Sequence, residues 1–288
     1  MQQPSPAQEV TVGNTRVLIG DSRDVLASLD SESVQCCVTS PPYWGLRDYE
    51  HAAQLGAEES PKQYVANLVA VFREVRRLLR PDGTFWLNVG DGYARNGGVG
   101  VCGPNAKVGN TRKLIQKRNC RVPECWGLKD RDLIGLPWRV AFALQEDGWI
   151  LRSKITWVKK SPMPESVRNR PSGATEDIFL FAKQPGYYYD HEAIREPSGA
   201  NLRNYWMLGP NTSNASHPAV FPNELARRCI LLGSRPGDVV LDPFSGSGTT
   251  GIVAIELRRK AILVELNEAY ARESERRLRK GVQERLWA

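Results

Sequence analysis

Residues 237–250 read G-D-V-V-L-D-P-F-S-G-S-G-T-T. The apolar run ends in an acidic residue, Asp242, and a glycine turn then opens a predicted helix. Glycines let the backbone approach a ligand closely, and the N-terminus of a helix presents free N–H groups. Because ligands of open α/β sheets bind beyond the carboxyl ends of strands, this stretch predicts a ligand-binding strand–turn–helix unit.

A second acidic residue stands at the end of the following strand. Glu265 closes the apolar run A-I-L-V-E, where a carboxylate can accept hydrogen bonds from both hydroxyls of a ribose. Together the two strand ends predict a site for an adenosine-type ligand, and a purely structural strand–turn–helix is the alternative.

Two other nucleotide motifs can be compared with the glycine stretch. A P-loop requires G-K-[ST], whereas Gly248 is followed by two threonines, so the sequence excludes it. Gly246, Gly248 and Gly251 do fit G-x-G-x-x-G, and the spacing therefore leaves NAD open. Asp242 argues against NAD because it places a negative charge where a pyrophosphate would bind.

The rest of the chain alternates β-rich runs with helical stretches, which predicts a mostly parallel sheet flanked by helices. Predicted strands cover residues 15–20, 34–39, 84–89, 150–158, 177–182, 239–242 and 261–266. Predicted helices cover residues 61–79, 132–146, 222–232, 248–257 and 269–284. Two long segments, 92–130 and 185–216, lack periodicity and are predicted to be irregular.

Length and composition fit one globular domain. With 288 residues, 41% of them hydrophobic, the chain can bury a full core. Residues 1–14 are predicted to form a disordered tail and residues 15–288 a single domain. No apolar run reaches the roughly 18 residues of a membrane span, and the first ten residues lack the apolar core of a signal peptide. We therefore expect a cytoplasmic protein without membrane contact.

The positive charge is concentrated in one segment. The chain has 39 Lys and Arg against 32 Asp and Glu, a net charge of +7. Residues 95–131 contain nine basic and two acidic side chains, an excess that equals the net charge of the whole chain. Such a segment would attract a phosphate backbone, although a solvated basic loop without a partner explains it equally well.

Six cysteines are present, in a chain too long to suggest a disulfide framework without a secretion signal. Cys36, Cys37 and Cys229 lie in apolar or helical runs, where buried thiols are common. The basic segment holds the other three, Cys102, Cys120 and Cys125. A structural zinc site needs four ligands, and no nearby His supplies the fourth, so we predict no metal.

Residues 39–49 read T-S-P-P-Y-W-G-L-R-D-Y, directly after a predicted strand. The prolines stiffen the turn and offer no N–H, so the Ser40 hydroxyl and the Pro41 carbonyl are presented as acceptors. Two acceptors can bind the two hydrogens of an exocyclic amino group, and the Tyr43 ring can stack on the base for about 1–3 kcal/mol. Such a base must first leave the duplex. Taken alone, the loop would favour a plain proline turn.

In this combination and order, the motifs resemble those of the amino-group (N4-cytosine and N6-adenine) DNA methyltransferases. They are most similar to the permuted branch, the beta class, in which the catalytic motif precedes the cofactor motif. The matching segments are Gly20-Asp21-Ser22, Ser40-Pro41-Pro42-Tyr43, Phe221-Pro222-Asn223-Glu224-Leu225, Asp242 to Gly248, and Val264-Glu265-Leu266-Asn267. The resemblance implies a Rossmann-like methyltransferase fold with circularly permuted motifs and S-adenosylmethionine as cofactor.

The resemblance also implies a role for each matched residue. The catalytic residues would be Ser40, Pro41, Pro42 and Tyr43. The cofactor-binding residues would be Asp21, Ser22, Thr39, Phe221, Asn223, Asp242, Pro243, Phe244, Ser245, Gly246, Ser247, Gly248, Thr249, Glu265, Leu266 and Asn267.

Ser40 is the basis for the expected target. In the family, serine at the first catalytic position usually accompanies N4-cytosine, and aspartate or asparagine accompanies N6-adenine. The expected activity is therefore methylation of cytosine N4 in double-stranded DNA by base flipping. N6-adenine methylation and a non-catalytic DNA-binding protein on the same fold remain alternatives, as does an NAD oxidoreductase. Ring-carbon methylation is disfavoured because it usually requires a Pro-Cys pair, which the sequence lacks.

Two segments are expected to contact DNA: the basic insertion 92–130, and 185–216, where family members usually place target recognition. Arg pairs with guanine edges and Asn with adenine, at about 1–3 kcal/mol per good pair. Some tyrosines of 185–216 are expected to pack against the sheet instead. The predicted DNA-binding residues are Lys107, Arg112, Lys113, Lys117, Arg118, Lys159, Lys160, Arg195 and Arg203. Besides DNA, a homodimer and a cognate restriction endonuclease are candidate partners, and the sequence leaves both open.

Overall fold

One nine-stranded sheet runs through the part of the chain that this computed structural model describes, residues 8–45, 54–94, 126–162, 164–209 and 221–286. The strands are β1 (Gln8–Val12), β2 (Thr15–Ile19), β3 (Val34–Thr39), β4 (Leu79–Val89), β5 (Ile150–Lys159), β6 (Thr175–Ala182), β7 (Tyr205–Leu208), β8 (Val239–Asp242) and β9 (Lys260–Glu265). The helices are α1 (Ser22–Ala27), α2 (Pro61–Leu78), α3 (Leu136–Glu146), α4 (Asn223–Gly233), α5 (Thr249–Glu256) and α6 (Glu268–Leu286).

The strand order is β1-β2-β9-β8-β3-β4-β6-β5-β7. The five neighbours β2, β9, β8, β3 and β4 are all parallel. β1 pairs antiparallel with β2, β6 pairs antiparallel with β4 and β5, and β7 runs parallel to β5. The predicted mostly parallel α/β sheet flanked by helices is therefore confirmed.

Helices cover both faces of the sheet and enclose two cores. Side chains alternate between faces along a strand, so Cys37 of β3 enters one core while Cys36 and Val38 enter the other. Helices α1, α2 and α3 contribute to the first core, and α4, α5 and α6 to the second. Parallel strands buried on both faces are continuous apolar runs, which is why β3, β8 and β9 were readable from the sequence.

The prediction of a disordered tail over residues 1–14 is wrong for residues 8–14. Gln8–Val12 forms β1, and its register with β2 pairs Val12 with Thr15 across a two-residue turn. Gly13 takes a φ of +57° in that turn, a conformation that glycine adopts without strain. The alternation in E-V-T-V followed by G-N is a hairpin signal, and residues 8–12 therefore belong to the sheet.

The prediction of an irregular segment over 185–216 is also wrong in part, because Tyr205–Leu208 forms β7. Trp206 and Leu208 are buried in the second core, whereas Tyr205 and Met207 are exposed. The run of four residues is short, and only its pairing with β5 identifies it as a strand. The expectation that some tyrosines pack is confirmed, since Tyr189 stacks on Trp86 with ring centroids 6.5 Å apart.

Helix α3 begins later than predicted, at residue 136 instead of 132. Gly135 precedes it with a φ of +72°, and the Asp91 carboxylate accepts the amides of Gly135 and Leu136 at 3.1 and 3.0 Å. The cap is thus supplied by the end of β4, far away in sequence. None of the helices within the described residues combines the length and the apolarity that a membrane crossing requires.

Candidate active site at the carboxyl ends of the parallel strands

Four chain segments meet at one edge of the parallel sheet. They follow β2, β3, β8 and β9, which are neighbours in the order β2-β9-β8-β3. We call residues 39–43 the proline loop and residues 242–249 the glycine loop. The sheet order brings both loops together with Asp21 and Glu265, as expected for a ligand site at the carboxyl ends of parallel strands.

The Asp242 carboxylate ties the glycine loop to the proline loop. One oxygen accepts Thr39 Oγ1 at 2.6 Å and the Phe244 amide at 3.1 Å, and the other accepts Thr250 Oγ1 at 2.6 Å. Burial raises the pKa of Asp242 to about 6 although these donors act in the opposite direction. Asp242 is 1% exposed, so its part in the expected cofactor site is to fix the two loops relative to each other.

Glu265 is held at the end of β9 by the backbone around it. Its Oε2 accepts the Gly246 amide at 2.8 Å, and its Oε1 accepts the Asn267 amide at 2.9 Å. Burial is the main cause that raises the pKa of Glu265 to about 7. A carboxylate has about four acceptor positions, so each oxygen keeps capacity for a hydroxyl of a ligand.

The glycine loop turns tightly through two glycines. Gly246 and Gly248 have φ values of +52° and +80°, and a Cβ at Gly248 would collide with Ser274 Oγ of α6. The same helix also holds the loop through Arg277, which donates to the carbonyl and the hydroxyl of Ser247 at 2.6 and 2.7 Å. Helix α6 therefore sets the path of the loop.

Two buried hydroxyls of the glycine loop point to a ligand. Within the described residues, Ser245 Oγ and Thr249 Oγ1 are buried without a hydrogen-bond partner. Buried polar atoms are satisfied in the large majority of cases, so a polar group bound at the loop would complete them. Ser22 Oγ is already used, since it donates to the Pro243 carbonyl at 2.5 Å and holds the loop against α1.

The other predicted cofactor residues take supporting positions. Asp21 caps α1 and accepts the Arg23 amide at 2.9 Å, and Asn267 Oδ1 accepts the Ala269 amide at 2.8 Å at the start of α6. Phe244 packs edge-on against Phe72 at 6.3 Å between ring centroids. Phe221 packs against the second core, Asn223 is the first residue of α4, and Leu266 follows β9.

In the proline loop, hydroxyls and carbonyls are held from several sides. Ser40 Oγ donates to Tyr43 Oη at 3.3 Å, and Tyr64 Oη of α2 donates to the Pro42 carbonyl at 2.9 Å. The Tyr43 ring lies directly against Gly90, where a Cβ would overlap its atoms. Ser40 and Tyr43 are therefore fixed in direction, as the sequence predicts for the two prolines.

Sequence reasoning missed two polar residues beside the proline loop. Tyr43 Oη donates to Glu176 Oε2 at 2.8 Å and lies 3.2 Å from Asn88 Oδ1. Asn88 Nδ2 donates to the same Glu176 oxygen at 3.1 Å. Each stands out as a polar residue next to a buried apolar run, Asn88 in T-F-W-L-N-V and Glu176 in T-E-D-I-F-L. A polar residue beside a buried apolar run is therefore the sequence signal by which Asn88 and Glu176 could have been found.

The predicted DNA-binding residues fall into three groups. Lys107, Arg112, Lys113, Lys117 and Arg118 lie outside the described residues, as do Cys102, Cys120 and Cys125. Lys159 pairs with Glu176 Oε1 at 2.6 Å, so part of its charge is compensated within the protein. Arg195 pairs with Glu192, whereas Lys160 and Arg203 are exposed.

The described residues contain no group of three or more His, Cys, Asp and Glu side chains placed to hold a metal ion. Cys36, Cys37 and Cys229 are buried free thiols, as expected, and burial raises their pKa values. None of the three is therefore a reactive thiolate.

Comparisons with known proteins show the family to which the chain belongs. The N6/N4 methyltransferase family model, described as DNA methylase, matches residues 34–276. The Type II methyltransferase M.SmaI of Serratia marcescens is 47% identical over 275 residues, which cover 93% of this chain and 92% of that protein. The Type II methyltransferase M.Cfr9I of Citrobacter freundii is 49% identical over 255 residues, which cover 87% and 83%.

Solved structures show the same architecture. The cytosine-N4-specific PvuII DNA methyltransferase superposes with a TM-score of 0.71 at 25% identity, covering 93% of this chain and 87% of that one. The Thermus thermophilus protein TTHA0409, solved in complex with S-adenosyl-L-methionine, superposes with a TM-score of 0.63 at 29% identity, covering 92% and 93%.

Proposed function

The chain belongs to the N6/N4 DNA methylase family, and from this premise we propose that it transfers a methyl group from S-adenosylmethionine to N4 of a cytosine in double-stranded DNA. One observation carries the proposal: the hydrogen bond of 2.6 Å between Thr39 and Asp242 holds the Ser40 acceptor beside the glycine loop. Of the structures compared above, the one with the higher TM-score is specific for cytosine N4, which supports cytosine as the target.

The residues at the strand ends fit S-adenosylmethionine. Glu265 offers acceptor positions for two ribose hydroxyls, and the buried Ser245 and Thr249 hydroxyls can hydrogen-bond to polar groups of the cofactor. The relative from Thermus thermophilus was solved with this cofactor. When bound, the cofactor supplies an electrophilic methyl group on a sulfonium.

The proline loop prepares the amino group for transfer. The nitrogen of cytosine N4 is a weak nucleophile because its lone pair is delocalised into the ring. The Ser40 hydroxyl and the Pro41 carbonyl accept its two hydrogens, which draws the nitrogen towards a tetrahedral shape and frees the lone pair. The Tyr43 ring stacks on the flipped base. Preorganised acceptors of this kind need no rearrangement during the reaction.

We assign the remaining parts of the chain by the same family membership. Residues 8–288 form one catalytic domain, 92–130 contacts phosphates, and 185–216 recognises the target sequence. A homodimer and a cognate restriction endonuclease remain proposals, tested by light scattering of the purified protein and by protection of methylated DNA from digestion.

The proposed function is tested by incubating the protein with labelled S-adenosylmethionine and mixed-sequence DNA and analysing nucleosides by mass spectrometry. We expect N4-methylcytosine, and N6-methyladenine would show adenine to be the target. Ser40→Ala should abolish transfer with cofactor affinity nearly unchanged, because Ser40 is assigned to the base and not to the cofactor. Loss of both together would contradict its assigned role, and DNA binding without any transfer would indicate a non-catalytic protein.

A further inference from the structure

A chain of hydrogen bonds leads from Ser40 away from the base site into the protein. Ser40 Oγ donates to Tyr43 Oη at 3.3 Å, and Tyr43 Oη donates to Glu176 Oε2 at 2.8 Å. Glu176 lies on β6, the strand next to β4, and is 133 positions away from Tyr43 in the sequence. The proposed function uses the first two residues and leaves Glu176 without a role.

The carboxylate at the end decides the direction of every bond in this chain. An ionised carboxylate only accepts hydrogen bonds and is a stronger acceptor than an amide oxygen, so the single proton of the Tyr43 hydroxyl is drawn towards Glu176 Oε2 at 2.8 Å in preference to Asn88 Oδ1 at 3.2 Å. Burial and the Glu176 charge raise the pKa of Tyr43 well above its usual value, so the hydroxyl keeps its proton and remains a donor. Tyr43 Oη is then left as the acceptor for the Ser40 proton.

The direction of the Ser40 proton determines which hydrogen-bonding groups Ser40 presents to the base. A serine hydroxyl has one proton and two lone pairs, and its proton is committed to Tyr43. Both lone pairs are therefore available for an amino hydrogen of the target base. A base that presents a carbonyl at the same position would need Ser40 as a donor and would meet an acceptor instead.

We propose that Glu176 is a positioning residue that acts through Tyr43 to hold the Ser40 hydroxyl as an acceptor for the amino group of the target base. The inference rests on the proposed function, because it concerns the same reaction. It adds a determinant that selects amino-bearing bases over carbonyl-bearing ones.

Two neighbours keep the Glu176 carboxylate in place. Lys159 Nζ pairs with Glu176 Oε1 at 2.6 Å, and Asn88 Nδ2 donates to Oε2 at 3.1 Å. The lysine compensates the charge of the carboxylate in a half-buried position. Both oxygens are thus fixed, and Oε2 is aimed at Tyr43.

The first test replaces the carboxylate by an amide of the same shape. Glu176→Gln can donate to Tyr43, which frees the Tyr43 and Ser40 protons to turn. We expect kcat for N4-methylcytosine formation to fall about 10- to 100-fold, while the Kd of S-adenosylmethionine and the KM for DNA stay within about twofold. An unchanged kcat in this variant, with the wild type active, would overturn the inference and leave the proposed function intact.

Asp177→Asn is the matched control. Asp177 is the next residue on β6, points to the opposite face of the sheet, and pairs with Lys154 at 2.9 Å. The variant loses one ion pair of the same strand without touching Tyr43, so its kcat should stay within about twofold of the wild type. A fall in kcat as large as that of Glu176→Gln would show that ion pairing on β6, and not the direction of the hydrogen bonds, determines kcat.

The second test asks whether Glu176 acts through Tyr43. Tyr43→Phe removes the hydroxyl and should lower kcat about as much as Glu176→Gln does. In the double variant the second substitution should lower kcat by less than about a further twofold, because the first has already interrupted the hydrogen bonds from Glu176 to Ser40. A multiplicative loss would assign Glu176 a separate structural role and overturn the inference. A wild type that forms no methylated nucleoside would overturn the proposed function and the inference together.

Discussion

At the residue scale, Glu265 lies at the proposed cofactor site and has a raised pKa. It is 9% exposed, and burial raises its pKa to about 7, so both protonation states are populated near neutral pH. The backbone amides of Gly246 and Asn267 donate to the carboxylate and compensate part of its charge. The hydroxyls of a bound ribose would also donate to the ionised form and stabilise it further.

We predict that S-adenosylmethionine binds more weakly as the pH falls through 7. Protonation below the pKa of about 7 removes the anionic acceptor, so the Kd at pH 6 should be roughly tenfold higher than at pH 8. Isothermal titration across this range measures the effect. Glu265→Gln should bind weakly at both pH values with little pH dependence, and a variant that keeps the wild-type slope would assign the titration to another group.

A second residue-scale prediction concerns the space that Gly90 leaves for Tyr43. A Cβ at this position would overlap the tyrosine ring, so Gly90→Ala must displace Tyr43. We expect methyl transfer to fall about 10- to 100-fold with cofactor affinity retained, since small displacements of catalytic groups have effects of this size. Gly92→Ala is the control, because among the described residues its Cβ would meet only Ile134, at an ordinary 3.7 Å. Equal activity of the two variants would contradict the prediction.

At the scale of elements, the glycine loop and α6 act as one unit. Gly248 has a φ of +80° and lies against Ser274, whereas a Cβ at Gly281 of α6 would meet no atom of the described residues within 4 Å. Gly248→Ala should therefore lower the free energy of unfolding by more than about 1 kcal/mol and weaken cofactor binding. Gly281→Ala should stabilise the protein by up to about 1 kcal/mol through helix propensity. Urea unfolding compares the two, and equal shifts would refute the argument.

Some strands and helices can be predicted from the sequence and others cannot. β3, β8 and β9 are buried on both faces, and their apolar runs predict them directly. β7 consists of four residues in a polar region, and it becomes a strand because β5 offers it a free edge. The start of α3 depends on Asp91, which follows β4 and is distant in sequence. Pairing and capping across the chain therefore account for these two misses.

At the scale of the whole molecule, the excess of positive charge in residues 95–131 predicts that this segment binds the phosphates of DNA. Replacing Lys107, Arg112, Lys113, Lys117 and Arg118 by glutamine should weaken binding and flatten the dependence of log Kd on log salt. The slope should change by about 0.9 for each phosphate that is no longer neutralised. Fluorescence anisotropy at several salt concentrations measures the slope. An unchanged slope would show that the segment does not contact phosphates.

The control for this prediction lies on α6. Arg272, Arg276 and Arg279 pair with Glu268, Glu273 and Glu275 of their own helix. Exposed pairs of this kind contribute little to stability, so replacing the three arginines by glutamine should leave the protein folded. We expect the salt dependence of DNA binding to remain near that of the wild type in this variant.

The sequence by itself determined the family, the sheet class, and the strand ends that carry the proline loop and the glycine loop. These features are local: each consists of an apolar run followed by a short motif, and such patterns are legible within a few residues. Only the tertiary structure decided that Asp242 binds Thr39 and that Glu176 binds Tyr43. Those partners are set by the order of strands in the sheet, which places side chains together that no local pattern connects.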